Sequence, residues 1–133
     1  MILGIGVDML EIARLEQAVQ RHGERFLARL FTPAERAVCA QRARGAMACY
    51  AKRFAAKEAL VKALGSGFRD GLWFTDIEVL NDAQGKPVTQ LSGPTLARLQ
   101  ALSQGAGRGE TRIHLSLSDE RRYAIAQVVI EAA

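Results

Sequence analysis

Arg53-Phe54-Ala55-Ala56-Lys57-Glu58-Ala59-Leu60-Val61-Lys62-Ala63-Leu64-Gly65-Ser66-Gly67 reads as a helix of good formers stopped by glycine. One carboxylate, Glu58, sits among small and apolar residues. At helical spacing Phe54 lies one turn before it and Val61 one turn after it, on the same stripe. Burying such a carboxylate bare costs several kcal/mol, so it needs a cation or hydrogen-bond donors. Lys62, four residues on, is one candidate partner, and a metal ion is another.

The plainer alternative is a surface Glu58–Lys62 pair worth about 0.2–0.5 kcal/mol. Two features argue against it. Ala55, Ala56, Ala59, Leu60, Val61, Ala63 and Leu64 go nearly all the way round the helix and leave no polar side. Gly65-Ser66-Gly67 then lets a ligand approach the backbone closely.

A second acid stands at the N-terminus. Gly4-Ile5-Gly6-Val7-Asp8 has the pattern of a short apolar strand ending in a carboxylate. Asp8-Met9-Leu10-Glu11 has the form of a helix start, with Asp8 as N-cap and Glu11 reaching back. Asp8 can both cap a helix and hold a metal only if it divides its oxygens between the two.

Outward from these stretches the chain alternates strands and helices in an α+β order. Residues 2–8 read as a strand and 9–22 as a helix closed by Gly23, with Ile12, Leu15 and Val19 inward. Arg14, Ala18 and Arg21 fall on its other side, with Arg25 and Phe26 just beyond. Thr32-Pro33-Ala34-Glu35 opens a helix to about residue 44, and the Glu58 helix starts near Met47. Residues 73–80 and 88–91 pair about a turn at 81–85, and Ser92-Gly93-Pro94 opens a helix to about Leu102. Residues 103–109 are the most flexible by composition. A hairpin of strands 111–118 and 123–130 closes the chain. In its first strand Ile113, Leu115 and Leu117 face one way, and Arg112, His114, Ser116 and Ser118 the other. An antiparallel sheet with one wet side is the ordinary reading of that pattern.

The 133 residues suit one domain, 1–133, and a net charge of +4 favours an acidic partner. Nucleic acid, a polyphosphate cofactor and an acidic protein all qualify. Few aromatics lie among the basic residues, which weakens a single-strand binder. No signal peptide and no membrane span are read in the chain. Cys39 and Cys49 make no metal motif and read as free thiols of a reducing cytoplasm.

Gly4-Ile5-Gly6-Val7-Asp8 with Arg14, Arg53-Phe54-Ala55-Ala56-Lys57-Glu58-Ala59 and Lys62-Ala63-Leu64-Gly65 together resemble the 4′-phosphopantetheinyl transferase superfamily, in its holo-[acyl-carrier-protein] synthase branch. The likeness continues through Trp73-Phe74-Thr75-Asp76-Ile77-Glu78-Val79, Gly85-Lys86-Pro87, His114-Leu115-Ser116-Leu117-Ser118 and Tyr123-Ala124-Ile125-Ala126. It covers nearly the whole chain in order.

The resemblance implies an antiparallel sheet packed against helices. It also implies transfer of 4′-phosphopantetheine from coenzyme A to a serine of apo acyl carrier protein, releasing 3′,5′-ADP, in support of fatty acid biosynthesis. It makes Asp8 and Glu58 the Mg²⁺ ligands, with Lys62 beside them as a phosphate contact. Arg53, Gly65, Ser66, Gly67, His114 and Ser116 become candidate coenzyme A contacts. Arg14, Arg21, Arg25 and Phe26 become a dock for the acidic carrier. The family implies a homotrimer with sites between subunits. It often carries histidine where this chain has Asp119, so that histidine's role does not carry over, and the proton acceptor stays open among a metal-bound water and the carboxylates. Two other classes compete: a basic nucleic-acid module, and a structural oligomer in which Glu58 is a satisfied core acid.

Overall fold

The computed structural model describes residues 1–68 and 72–133. Its elements in chain order are β1 (Ile2–Glu11), α1 (Ile12–His22), α2 (Glu24–Leu30), α3 (Pro33–Ala40), α4 (Ala46–Leu64), β2 (Ile77–Asn81), β3 (Pro87–Leu91), α5 (Gly93–Gly105), β4 (Thr111–Asp119) and β5 (Tyr123–Ala132). A short 3-10 turn, Phe74–Asp76, occupies the start of the strand expected at 73–80. The α+β expectation holds: an antiparallel sheet in the order β1-β5-β4 carries the helices, and β2-β3 is a separate hairpin.

α4 is the spine. Its alanine-rich side packs Ala56, Ala59 and Ala63 with Ala126, Val128 and Ile130 of β5 and with Ile77 and Val79 of β2. Its N-terminal half joins a second cluster with Leu15, Leu27, Phe31 and Ala124. A helix buried on most sides has no strong apolar stripe, which is why its sequence shows no polar face.

Small residues set the depth of this packing. A Cβ added at Gly6 would lie 1.8 Å from the Ala59 carbonyl oxygen, and one at Gly4 would lie 2.0 Å from that of Ala63. Strand backbone and helix backbone therefore touch. Because side chains alternate along a strand, Gly4, Gly6 and Asp8 share the face turned to α4, while Ile5, Val7 and Met9 face away and are 62%, 51% and 63% exposed.

The structure corrects the expected N-terminus. β1 runs three residues past Asp8, which pairs with Ala126 in the ladder to β5. The N-cap of α1 is Glu11, without a side-chain cap bond, so Asp8 is no cap. A continuous ladder to β5 from Gly4 to Glu11 outweighs one local capping pattern. By contrast, the helix start read at Thr32 forms, and the structure adds a capping box to it: Thr32 Oγ1 accepts from Glu35 N, and Glu35 Oε1 accepts from Thr32 N at 2.8 Å.

The cysteines are also corrected. Cys39 and Cys49 form a disulfide between α3 and α4, with Cα atoms 5.5 Å apart. Both are buried where the two helices pack, and that separation is ordinary for a bridge. Their spacing of ten residues matches no motif. In the segment read as most flexible, α5 continues to Gly105, and Ser103 Oγ bonds the Gly109 carbonyl oxygen at 2.6 Å to close the turn.

Candidate active site

The two acids meet. β1 delivers Asp8 to the flank of α4 that carries Glu58 and Lys62. Lys62 does not pair with Glu58 as its spacing suggested. Its Nζ crosses to β1 and donates to Asp8 Oδ1 and to the Val7 carbonyl oxygen, both at 3.0 Å. Glu58 is half-buried and, among the described residues, receives no ion pair. Burial pushes its carboxyl above the ordinary range, the charge of Asp8 pushes the same way, and Lys62 opposes both. Asp8 and Glu58 therefore lie near enough for their charges to repel.

Among the described residues no three His, Cys, Asp or Glu side chains converge as a metal cage. Two acids alone fit Mg²⁺, which takes oxygen ligands and commonly keeps waters beside one or two carboxylates and substrate phosphates.

Next to this pair lies the end of α4. Gly65 donates its N–H to the Lys62 carbonyl oxygen at 3.0 Å, so it closes the helix and is not a free amide for a ligand. Ser66 and Gly67 remain the candidate amides, with Gly67 at φ 63°. Ser66 Oγ is buried with no partner among the described residues. The dipole at a helix C-terminus repels phosphate, so attraction at this turn must come from Lys62, a cation and the amides.

Other candidates stand apart. Arg53 is 2% exposed; its guanidinium donates to Val79 O at 3.0 Å, Cys49 O at 3.3 Å and Asn81 Oδ1 at 2.8 Å. It ties α4 to β2 and does not present its charge to a ligand, which corrects its candidacy. Burial also pulls its pKa below the usual arginine value.

His114 and Ser116 lie on the outer face of the sheet. His114 is in register with Val129 and, through it, with Ile5; Ser116 aligns with Gln127 and Val7. Asp8 aligns with Ala126 and Leu117 on the inner face. Within one chain the sheet therefore separates His114 and Ser116 from the acids. His114 Nε2 is 2.8 Å from Glu131 Oε2, and that hydrogen bond holds the Glu131 carboxyl below its ordinary range. Asp119 is paired with Lys52 of α4 at 3.1 Å.

Arg14 and Arg21 are exposed on α1, as the sequence predicted, and Arg25 is exposed on α2. Phe26 is half-buried, with its ring 5.7 Å from that of His22. His22, Arg25, Phe26 and Arg29 line one shallow depression.

Sequence reading missed one feature entirely. Lys57 and Glu35, both 0% exposed at their side chains, form an ion pair at 2.7 Å. Lys57 Nζ also donates to Leu30 O at 2.6 Å, and Glu35 Oε2 accepts from Val79 N at 2.9 Å. The capping motif located Glu35, but nothing in the sequence tied it to Lys57.

Comparison with known proteins gives the family. The family model described as 4′-phosphopantetheinyl transferase superfamily matches residues 4–128. The chain belongs to that superfamily. Its relatives there are holo-[acyl-carrier-protein] synthases. The one from Magnetococcus marinus is 53% identical, with 98% of this chain and 94% of the relative covered. The crystal structure of holo-[acyl-carrier-protein] synthase from Neisseria meningitidis superposes with a TM-score of 0.82 at 37% identity, covering 98% of this chain and 99% of that one. The Bacillus anthracis holo-(acyl-carrier-protein) synthase, solved in complex with CoA (3′,5′-ADP), superposes with a TM-score of 0.79 at 36% identity, covering 100% and 99%. Among the described residues, no helix is long and apolar enough to cross a membrane.

Proposed function

We propose that this chain transfers 4′-phosphopantetheine from coenzyme A to the serine of an apo acyl carrier protein, releasing 3′,5′-ADP, with Mg²⁺ seated by Asp8 and Glu58. The observation that carries this reading is the convergence of Asp8, Glu58 and Lys62, from two elements, beside the Ser66–Gly67 turn. The serine Oγ forms a bond to the pantetheine-side phosphorus. The bond from that phosphorus to the bridging oxygen breaks, and the hydroxyl proton leaves. Such a transfer is mostly positioning and charge neutralisation. Lys62, already fixed on Asp8 and the β1 backbone, holds a phosphate oxygen as a point charge. The Ser66 and Gly67 amides orient the diphosphate. Mg²⁺, when bound, offsets the negative charge on the phosphates.

Arg14, Arg21 and Arg25 offer the acidic carrier a basic face, with Phe26 as an apolar anchor. The product, a holo carrier, serves fatty acid biosynthesis in the cytoplasm. Mixing the chain with apo carrier, coenzyme A and Mg²⁺ tests the reading. Mass spectrometry is expected to show the carrier gaining one phosphopantetheine arm. No gain with a carrier that a known synthase modifies refutes it. Salt-sensitive nucleic-acid binding with no response to coenzyme A would favour the basic module instead.

The working unit on this reading is a homotrimer. Ile5, Val7, Met9 and Ile125 form an exposed apolar stripe on the outer sheet face, beside His114 and Ser116. Apolar surface of that kind marks an interface. A neighbouring copy seated there can bring its own acids to the His114 and Ser116 that the sheet keeps from them within one chain. Ile5→Lys combined with Met9→Lys is expected to reduce the mass seen by light scattering to that of one chain and to abolish turnover. Unchanged mass and turnover would remove this stripe from the interface.

A further inference from the structure

We infer that the buried Glu35–Lys57 ion pair is a positioning device for the acid pair, acting through the rotation of α4. The inference rests on the transferase reading above. Lys57 is the residue before Glu58 in the same helix, so the two side chains leave α4 about 100° apart. Whatever fixes the Lys57 direction fixes the direction of Glu58 and, one turn on, of Lys62.

The anchoring is unusually dense. Lys57 Nζ bonds Glu35 Oε1 at 2.7 Å and the Leu30 carbonyl oxygen at 2.6 Å, at the end of α2. Glu35 in turn accepts from the backbone N–H of Thr32, ahead of α3, and of Val79 in β2. One turn earlier on α4, Arg53 donates to the Val79 carbonyl oxygen and to Asn81 Oδ1. The charged side of α4 is thus bonded to α2, α3 and β2 through directional contacts.

The opposite, sheet-facing side carries Ala55, Ala59 and Ala63. The close approach of Gly4 and Gly6 fixes the helix-to-sheet distance on this side, whereas methyl groups carry no directional bond that would set the rotation of the helix. A buried ion pair contributes little net stability, and in some proteins such pairs are kept because they fix one arrangement of the elements they join. Glu35 and Lys57 belong to neither the acid site nor the carrier-facing arginines, and no ligand reaches either, since both side chains are fully buried.

The test replaces the pair by apolar residues of similar length, Glu35→Met with Lys57→Met, in the full chain. Melting temperature, Mn²⁺ affinity by electron paramagnetic resonance in the presence of coenzyme A, and kcat and KM for apo carrier are compared with the unmodified chain. The double variant leaves the Thr32 and Val79 N–H groups and the Leu30 carbonyl oxygen without their partners, so its melting temperature is expected to fall whether or not the pair positions α4. A purely structural pair leaves Mn²⁺ Kd and kcat unchanged at temperatures where the variant is folded. The positioning role predicts a folded variant whose Mn²⁺ Kd rises at least about tenfold, the scale on which supporting residues around a metal act. Its kcat is expected to fall by a similar factor, with KM for carrier within about twofold. A folded variant that keeps the original Mn²⁺ Kd and kcat overturns the inference.

Should the double variant not fold, Glu35→Gln is read at a temperature where its circular dichroism equals that of the unmodified chain. Weakened Mn²⁺ binding there supports the positioning role, and unchanged binding overturns it. An unmodified chain that neither binds Mn²⁺ nor modifies carrier refutes the transferase reading itself, a result distinct from either variant outcome.

Discussion

Replacing Glu58 by glutamine is expected to lower kcat on the order of 100-fold or more, the scale of losing one preorganised electrostatic group. The glutamine keeps the shape and removes the charge that a cation needs. The fold is expected to survive, and the pKa direction gives the sign. A carboxyl whose folded-state pKa is raised by burial and by Asp8 holds its proton more tightly than in the unfolded chain. Its contribution to stability is present below the ordinary carboxylate range and is lost as pH rises through the raised value. At neutral pH the cation-free chain therefore gains nothing from Glu58, and Glu58→Gln is expected to melt no lower than the unmodified chain. Added Mg²⁺ is expected to raise the melting temperature of the unmodified chain and not that of the variant. A variant that turns over at near-normal rate refutes the metal role of Glu58. One that unfolds assigns Glu58 a structural role instead.

The second large effect is expected at a glycine. In Gly6→Ala the new methyl would sit 1.8 Å from the Ala59 carbonyl oxygen and 2.8 Å from its carbon. Both are helix backbone, which has no rotamer to give way. The strand must lift from α4, at about 3 kcal/mol or more of lost stability. For a domain of this size that corresponds to a fall in melting temperature on the order of 10 °C. Function should suffer beyond stability, because Asp8 lies two residues along the lifted strand on the same face. Turnover measured well below the melting transition is expected to fall with Asp8 displaced. Gly109→Ala is the control, since nothing lies within 4 Å of a Cβ there. Equal melting temperatures for the two variants would contradict the close strand–helix contact.

The features legible in sequence were those with a local cause. Gly65 stops α4 because it takes the left-handed conformation. Thr32 and Glu35 cap α3 through a four-residue pattern. The alternation of residues 111–118 gave the two faces of β4, with Ile113, Leu115 and Leu117 inward. The family pattern of acids and glycines pointed to the Asp8 and Glu58 pair before any geometry was known. What escaped was decided by distant partners. Asp8 looked like a helix cap until a ladder from β5 drew the strand onward to Glu11. Lys62 looked like the partner of Glu58, yet β1 offered it Asp8 and a carbonyl oxygen. Arg53, drawn as a ligand contact, is enclosed by β2 and its own helix. Lys57 and Glu35 are separated by 22 residues, and the cysteines bridge two helices across a spacing with no motif.

The most direct measurement is anomalous scattering from crystals grown with coenzyme A and soaked in Mn²⁺, a heavier substitute for Mg²⁺. The account predicts one strong peak between the Asp8 and Glu58 carboxylates, adjoining the diphosphate. Well-ordered coenzyme A with no peak there, or with the metal held by other side chains, would contradict it.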